Sequence, residues 1–370
     1  MALCAELTKQ FDKRALTIDF IGSGGNLERD LVEAQGLRYH AIRSGKFRRY
    51  GRGAVRELLD FKTLGLNTRD AWRFSRGLSD ARRLLKDLQP DVVFVKGGFV
   101  GLPVGFAARR LGIPLVLHES DVVMGLTNRL LASRAQAIGT GFPVEAYTGL
   151  KSAAQLVHVG NPVRHEITKG DRRRARREFG LRSAKPTVLI IGGSSGAQAV
   201  NEIVFQALVK LLPGMNIIHQ VGSRHIDAAF YQRQRLPKDV RDHYSPHEFL
   251  KDELADAYAL ADVVVSRCGA NVLAELALLR KPTLLIPLPS SANNHQVKNA
   301  EFVAKLGAAR VLSQNELTPR RFRARLEALV ESVADQKYLS QSIRRFAEPD
   351  ANRKLAALLI DVAEHKDRDN

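Results

Sequence analysis

Short apolar runs rich in β-branched residues recur at 16–21, 92–95, 115–118, 187–191, 263–266 and 283–287, each closed by glycine, proline or a polar residue. Runs this short and this uniformly apolar suit strands buried on both faces. Between them lie stretches with helical apolar spacing, such as 101–111 and 197–212, which predict amphipathic helices. Strands alternating with helices predict an α/β fold, with parallel sheets covered by helices. The alternation pauses at 161–177 (NPVRHEITKGDRRRARR), where an Asn-Pro turn precedes a basic polar run, and a strand run resumes at Thr187. The expected division is one domain over 1–163, a second over 164–348, and a charged helical tail over 349–370. A chain of 370 residues has room for two domains with full cores.

Composition narrows the classes. The 57 Lys and Arg against 39 Asp and Glu give a net charge of +18. Such an excess attracts nucleic acid, anionic membrane surfaces or phosphorylated substrates. No nucleic-acid recognition module is visible, so no specific nucleic-acid partner is expected. Cys4 and Cys268 lie far apart and form no CxxC, which argues against a disulfide or metal framework and fits a reducing cytoplasm. No run approaches the ~20 apolar residues of a membrane-spanning helix. From Arg43 to Lys86 basic residues interleave with Phe47, Tyr50, Phe61, Trp72 and Phe74. That pattern suits an anionic leaflet; the other reading is a solvated basic helix pair with an inward apolar face.

Three segments carry candidate chemistry, and each directly follows a strand run. The first, GGSSGA at 192–197, opens a helix. Glycines permit a sharp turn and close approach of a ligand, and the helix N-terminus offers unpaired N–H groups to an anion. Ser194 adds a hydroxyl for phosphate or sugar. The second is RCGANVLAE, Arg267 to Glu275, again strand then helix. A phosphate at that helix start leaves Glu275 within reach of the attached ribose, whose two hydroxyls one carboxylate can accept. The third is PLP at 287–289 followed by NHQVKNA, in which Gln296 and Asn299 share a helix face. Paired amides donate to and accept from sugar hydroxyls. Taken singly, these are a tight turn, a surface glutamate and a polar helix start. In open α/β sheets, however, ligands bind beyond the carboxyl ends of the strands, so the three in order point to one crevice edge.

This series, with HQVG at 219–222, resembles the MurG family, UDP-N-acetylglucosamine transferases that act on undecaprenyl-pyrophosphoryl-N-acetylmuramyl-pentapeptide (lipid I). IGSGGNLERDLV at 21–32, DVVFVKGGFVGLP at 91–103, IPLVLHE at 113–119, GLTNR at 125–129 and GNPVR at 160–164 extend the resemblance over nearly the whole chain. It implies a GT-B fold, two Rossmann-like domains facing a cleft, with the C-terminal helix packing back on the first domain. The first domain would take the acceptor and face the membrane, and the second would bind the UDP-sugar. By resemblance Ser194 contacts the donor and Arg164 sits nearby. Ala270, Asn271, Val272, Leu273, Ala274 and Glu275 wrap uracil and ribose, with Glu275 on the ribose hydroxyls. The Leu250 backbone meets the uracil, and Gln296 reads the sugar hydroxyls. Implied partners are UDP-GlcNAc, lipid I and an anionic membrane surface at the cytoplasmic face, with other cell-wall synthesis proteins allowed. The implied reaction is an inverting transfer to form lipid II with no cofactor and no metal. Alternatives on the same fold are a glycolipid synthase, a UDP-sugar epimerase or an inactive donor-binding remnant.

Departures from the family pattern are specific. Asp121 stands where an Asn is usual, and an ionised carboxylate cannot donate a hydrogen bond. Cys268 and Val272 replace a common Ser and Thr. Met1 to Leu7 already resembles a helix that in the family follows a first strand and a GGTGGH loop. That strand and the loop's histidine, the family's favoured base, are absent. Among remaining groups His118 and Glu119 are candidate bases, though both could simply end a strand, and His295 could be one but reads more simply as part of a polar helix start. A central strand's loss would strand buried ladder groups at about 1–3 kcal/mol each. The expectation is therefore that the natural gene begins upstream and encodes that strand and loop in frame; an in-frame stop close upstream would contradict it.

Overall fold

A computed structural model describes residues 2–11, 16–45, 61–147, 154–181, 184–192, 198–289, 291 and 294–366, without the side chains of 61–71 and 366. The chain forms two compact units, Met1–Pro162 with Asp350–Asn370, and Val163–Pro349.

The first unit holds β1 (Asp19–Gly22), β2 (Arg38–Ala41), β3 (Val93–Val95), β4 (Leu115–Glu119), β5 (Ala137–Thr140) and β6 (Gln155–His158). The strands β3-β4-β5-β6 form one parallel sheet, while β1 and β2 form a separate parallel pair. The apolar run at 16–21 becomes a strand only from Asp19, where the ladder with Arg38 starts and Asp19 binds Arg38 and His40, each at 2.7 Å. One face of the four-stranded sheet packs Val93, Val95, Leu115, Leu117 and Ile138 against Ala81, Leu85, Leu102 and Leu131 from helices Phe61–Leu88, Gly98–Arg110 and Leu126–Leu131. The other face, through Val116, Ala137 and Val159, receives Leu3 of helix Ala2–Gln10 and Leu355, Ala356 and Leu359 of helix Ala351–Lys366. Gly139 makes that second face flat enough: a Cβ there would sit 2.9 Å from Val159 and 3.3 Å from Leu355.

The helix predicted at 101–111 begins three residues earlier, at Gly98. Gly97 turns the chain into it at φ 73°, a conformation that costs glycine little. Pro103 lies within this helix and has no N–H for the Phe99 carbonyl one turn back. Ser44 Oγ donates to that carbonyl instead, at 2.9 Å.

The second unit is a six-stranded parallel sheet in the order β12-β11-β10-β7-β8-β9. Its strands are β7 (Thr187–Ile191), β8 (Asn216–Gln220), β9 (Tyr244–His247), β10 (Val263–Ser266), β11 (Thr283–Leu285) and β12 (Arg310–Val311). All residues of β7, β8 and β10 are buried, as strands covered on both faces must be. Val188, Ile190, Ile217, Val263, Val265 and Leu284 meet Val204, Leu208 and Leu211 of helix Gln198–Leu211 and Phe322, Leu326 and Leu329 of helix Pro319–Glu331. The ladder of β11 stops at Leu285, two residues before Pro287, which has no N–H to give.

Candidate functional site

The register of the second sheet sets the site. Ile191 pairs with Gln220 and with Ser266, and Ser266 pairs with Leu285. The loops after β7, β8, β10 and β11 therefore leave from one carboxyl edge. Ser194 in the loop after β7 lies outside the described residues. The remaining candidates of this unit can be placed.

Helix Ala270–Leu278 starts on this edge, after Gly269 in extended conformation (φ −69°, ψ 139°). Its first intrahelical bond comes only at Leu273 N–H to Gly269 O, 3.0 Å. The N–H groups of the preceding turn thus lack helical partners and present the positive end of the helix dipole. Within Ala270–Glu275 the side chains of Ala270 and Leu273 are buried core. They can offer a ligand only their backbone, whereas Asn271 is exposed and Val272, Ala274 and Glu275 are half-buried. Cys268 is fully buried beside this turn, and burial pushes its thiol well up, so it is an inert core side chain.

Several side chains have one end fixed. Tyr258, wholly buried on helix Leu254–Leu260, donates its hydroxyl to Glu275 Oε2 at 3.0 Å. Burial raises the Glu275 carboxyl above the usual carboxylate range, while the Tyr258 hydroxyl and the Arg164 charge pull it back. Arg164 itself is exposed, close enough for its charge to be felt at Glu275 and Tyr258. Leu250 N–H donates to Gln220 Oε1 at 3.0 Å. Gln296 Oε1 accepts from Leu288 N–H at 3.0 Å, and Gln296 N–H reaches Ser291 Oγ at 3.2 Å. Arg267 spans the edge, donating to Ile286 O at 3.0 Å.

Asn299 needs a correction. The sequence pairs it with Gln296 as a sugar-reading amide, yet it is fully buried and its Nδ2 donates to Cys268 O at 3.0 Å. It braces the loop that starts helix Ala270–Leu278 and has no exposed surface. Three positions carry no signal of their own in the sequence: Gln220 and Arg267 lie within HQVG and RCGANVLAE with nothing to mark their partners, and Tyr258 looks like any apolar helix residue until the fold brings its hydroxyl to Glu275.

In the first unit the candidates gather at the carboxyl end of β4. His118 is 1% exposed, and its Nε2–H donates to Gly160 O at 2.9 Å. Burial, and then the Lys96 charge, push its pKa down to about 3. Glu119 is 5% exposed and accepts from Asp121 N–H (3.1 Å), Gly125 N–H (2.8 Å) and Asn128 Nδ2 (3.0 Å). It clamps the loop between β4 and helix Leu126–Leu131. Both point inward, so neither serves as the external base for which the sequence offered them. Asp121 lies in that loop, half-buried, its carbonyl accepting from Tyr147 OH at 2.9 Å. Among the described residues no group of three His, Cys, Asp or Glu side chains is placed to hold a metal ion.

Comparison with known proteins fits this geometry. Residues 3–140 match the glycosyltransferase family 28 N-terminal domain, and residues 187–355 match the glycosyltransferase family 28 C-terminal domain. A UDP-N-acetylglucosamine--N-acetylmuramyl-(pentapeptide) pyrophosphoryl-undecaprenol N-acetylglucosamine transferase of Lachnoclostridium phytofermentans is 36% identical over 98% of this chain and 94% of its own length. A protein of the same name from Clostridium kluyveri is 35% identical over 92% of this chain and 90% of its own. The crystal structure of Acinetobacter baumannii MurG superposes with a TM-score of 0.71 at 27% identity, covering 97% of this chain and 95% of that one. A UDP-GlcNAc 2-epimerase from Neisseria meningitidis superposes at 0.67 with 11% identity over 97% of this chain and 95% of its own, a likeness of fold alone. Both domains are thus Rossmann-like, in a GT-B fold.

Proposed function

The chain belongs to the family of UDP-N-acetylglucosamine--N-acetylmuramyl-(pentapeptide) pyrophosphoryl-undecaprenol N-acetylglucosamine transferases, and from that membership we propose that it moves N-acetylglucosamine from UDP-GlcNAc to lipid I, forming lipid II. The observation that supports the donor half is the shared carboxyl edge of β7 to β11, beyond which Leu250, the start of helix Ala270–Leu278 that carries Glu275, and Gln296 follow.

The donor reading follows from which atoms are already committed. Leu250 has given its N–H to Gln220, so its carbonyl is the group left for the uracil N3–H. Glu275 has one oxygen on Tyr258 and turns the other to the ribose hydroxyls. The bare N–H groups at the start of helix Ala270–Leu278 take the pyrophosphate, with Arg164 adding charge and Ser194 a hydroxyl. Gln296, its carbonyl held by Leu288, offers its NH₂ to a sugar hydroxyl. An acceptor hydroxyl, the 4-OH of N-acetylmuramic acid, attacks the anomeric carbon. The bond to the UDP oxygen breaks with inversion, the attacking hydroxyl gives up its proton to solvent, and the negative charge of departing UDP is stabilised by the helix start and the cations.

The first unit is read as the acceptor side, with Asp121 among its contacts, and the enzyme as peripheral at the cytoplasmic face of the cell membrane. No helix among the described residues is long and apolar enough to cross a membrane. Trp72 is 54% exposed with the Arg76 guanidinium 3.7 Å over its ring, an arrangement suited to an anionic lipid interface. Of the basic run, 46–60 lies outside the described residues. Trp72→Ala should lower flotation with anionic vesicles at low salt and leave UDP-GlcNAc affinity unchanged; equal flotation of both proteins counts against this surface. The reaction is tested with labelled UDP-GlcNAc and a lipid I analogue. One UDP released per labelled lipid supports the transfer, whereas epimerised sugar nucleotide without labelled lipid rejects it.

A further inference from the structure

We propose that Tyr258 is the positioning residue that makes Glu275 a ribose acceptor, holding one carboxylate oxygen so that the other is presented to the nucleotide. This rests on the reading above that Glu275 meets the ribose. The two residues are 17 apart in sequence and lie on helices flanking β10, Leu254–Leu260 before it and Ala270–Leu278 after it. Tyr258 is wholly buried, so its hydroxyl must find a partner inside the protein, and Glu275 Oε2 at 3.0 Å is that partner.

The phenol has two effects. It fixes the rotation of a carboxylate that would otherwise swing between orientations, leaving less ordering to be done when the ribose arrives. It also donates to the ionised form, offsetting the burial that favours the neutral acid. A neutral carboxyl keeps one oxygen protonated and is the poorer acceptor for a diol. The Arg164 charge acts in the same direction from an exposed position, where salt screens it. Burial also holds the Tyr258 hydroxyl protonated, since it raises the phenol well above its ordinary value. The donor is therefore present over the whole working pH range.

The sign of the consequence is fixed. Without the phenol the Glu275 carboxyl titrates at a higher pH, so donor binding is lost earlier as pH falls. Calorimetric titration of the full chain with UDP-GlcNAc between pH 5.5 and 8.5 reads this directly. Tyr258→Phe should weaken binding about tenfold near the acid end and by a much smaller factor at the alkaline end. Glu275→Gln should weaken binding at every pH and flatten the profile. A Tyr258→Phe loss equal at all pH values, or no loss, overturns the proposal while leaving Glu275 on the ribose. Unchanged affinity in Glu275→Gln overturns the donor-site reading itself. Should Tyr258→Phe melt below the assay temperature, 3-fluorotyrosine at 258 keeps the shape and strengthens the donor. The acid loss should then move to lower pH, and an unmoved profile counts against the proposal.

Discussion

A side-chain amide has a donor end and an acceptor end, and in Gln296 the acceptor end is taken by Leu288 N–H at 3.0 Å. On the donor reading proposed above, the group that meets Gln296 must accept a hydrogen bond. Gln296→Glu keeps the bond to Leu288 but replaces the NH₂ donor with a second acceptor, so it should harm sugar recognition at least as much as Gln296→Ala. Affinity for UDP-GlcNAc should fall about tenfold or more in Gln296→Glu, with affinity for UDP nearly unchanged. An equal loss for UDP would place Gln296 away from the sugar. Asn299, three residues on, shows what the sequence hides. Both amides fit sugar chemistry by type and spacing, and only packing reveals that one is sealed against Cys268 O. His118 and Glu119 teach the same: a polar pair ending a strand is as well suited to bracing a loop as to moving a proton.

Strands buried on both faces announce themselves by composition alone, which is why β4, β7 and β10 are legible from apolar runs. Helix starts are less so. Pro103 and the glycines before it suggest a later start for helix Gly98–Arg110 than the backbone takes, because the carbonyl freed by Pro103 is served by the distant Ser44. The short helix Arg172–Glu178, read only as a basic run, has a similar tertiary logic. Its Asp171 cap accepts from Arg174 N–H at 2.6 Å, and the Arg174 guanidinium grips Asp256, which also accepts from Asp171 N–H at 2.7 Å. Arg174, chiefly through its side-chain hydrogen bond, holds the Asp256 carboxyl below the usual carboxylate range. A depressed folded pKa means stability that is present above the unfolded value, near 3.9, and lost as pH falls through the folded one. Asp256→Asn should therefore melt below the wild type at pH 7, with the gap closing below about pH 4. A gap that persists in acid would show that the ion pair is not its source.

At the scale of the whole molecule, the chain returns to its first unit after completing the second. Helix Ala351–Lys366 lays Leu355, Ala356 and Leu359 on Val116, Ala137 and Val159. Leu355→Ala should cost about 2–5 kcal/mol, a large share of the roughly 5–15 kcal/mol that stabilises an ordinary domain. Donor-site chemistry in the other unit should survive at temperatures where the variant is folded; a melting point equal to the wild type would mean that this helix contributes little. The charge of +18 acts at the same scale. It favours encounters with anionic surfaces and phosphorylated substrates at low salt, but selects none of them. On the proposed reading, selection falls to a few fixed donors and acceptors on one sheet edge. A crystal structure with UDP-GlcNAc bound would show whether it does. Uracil should lie on the Leu250 carbonyl, ribose on Glu275 and the sugar on the Gln296 amide. A nucleotide bound elsewhere, or one that leaves Glu275 and Gln296 untouched, would contradict that reading.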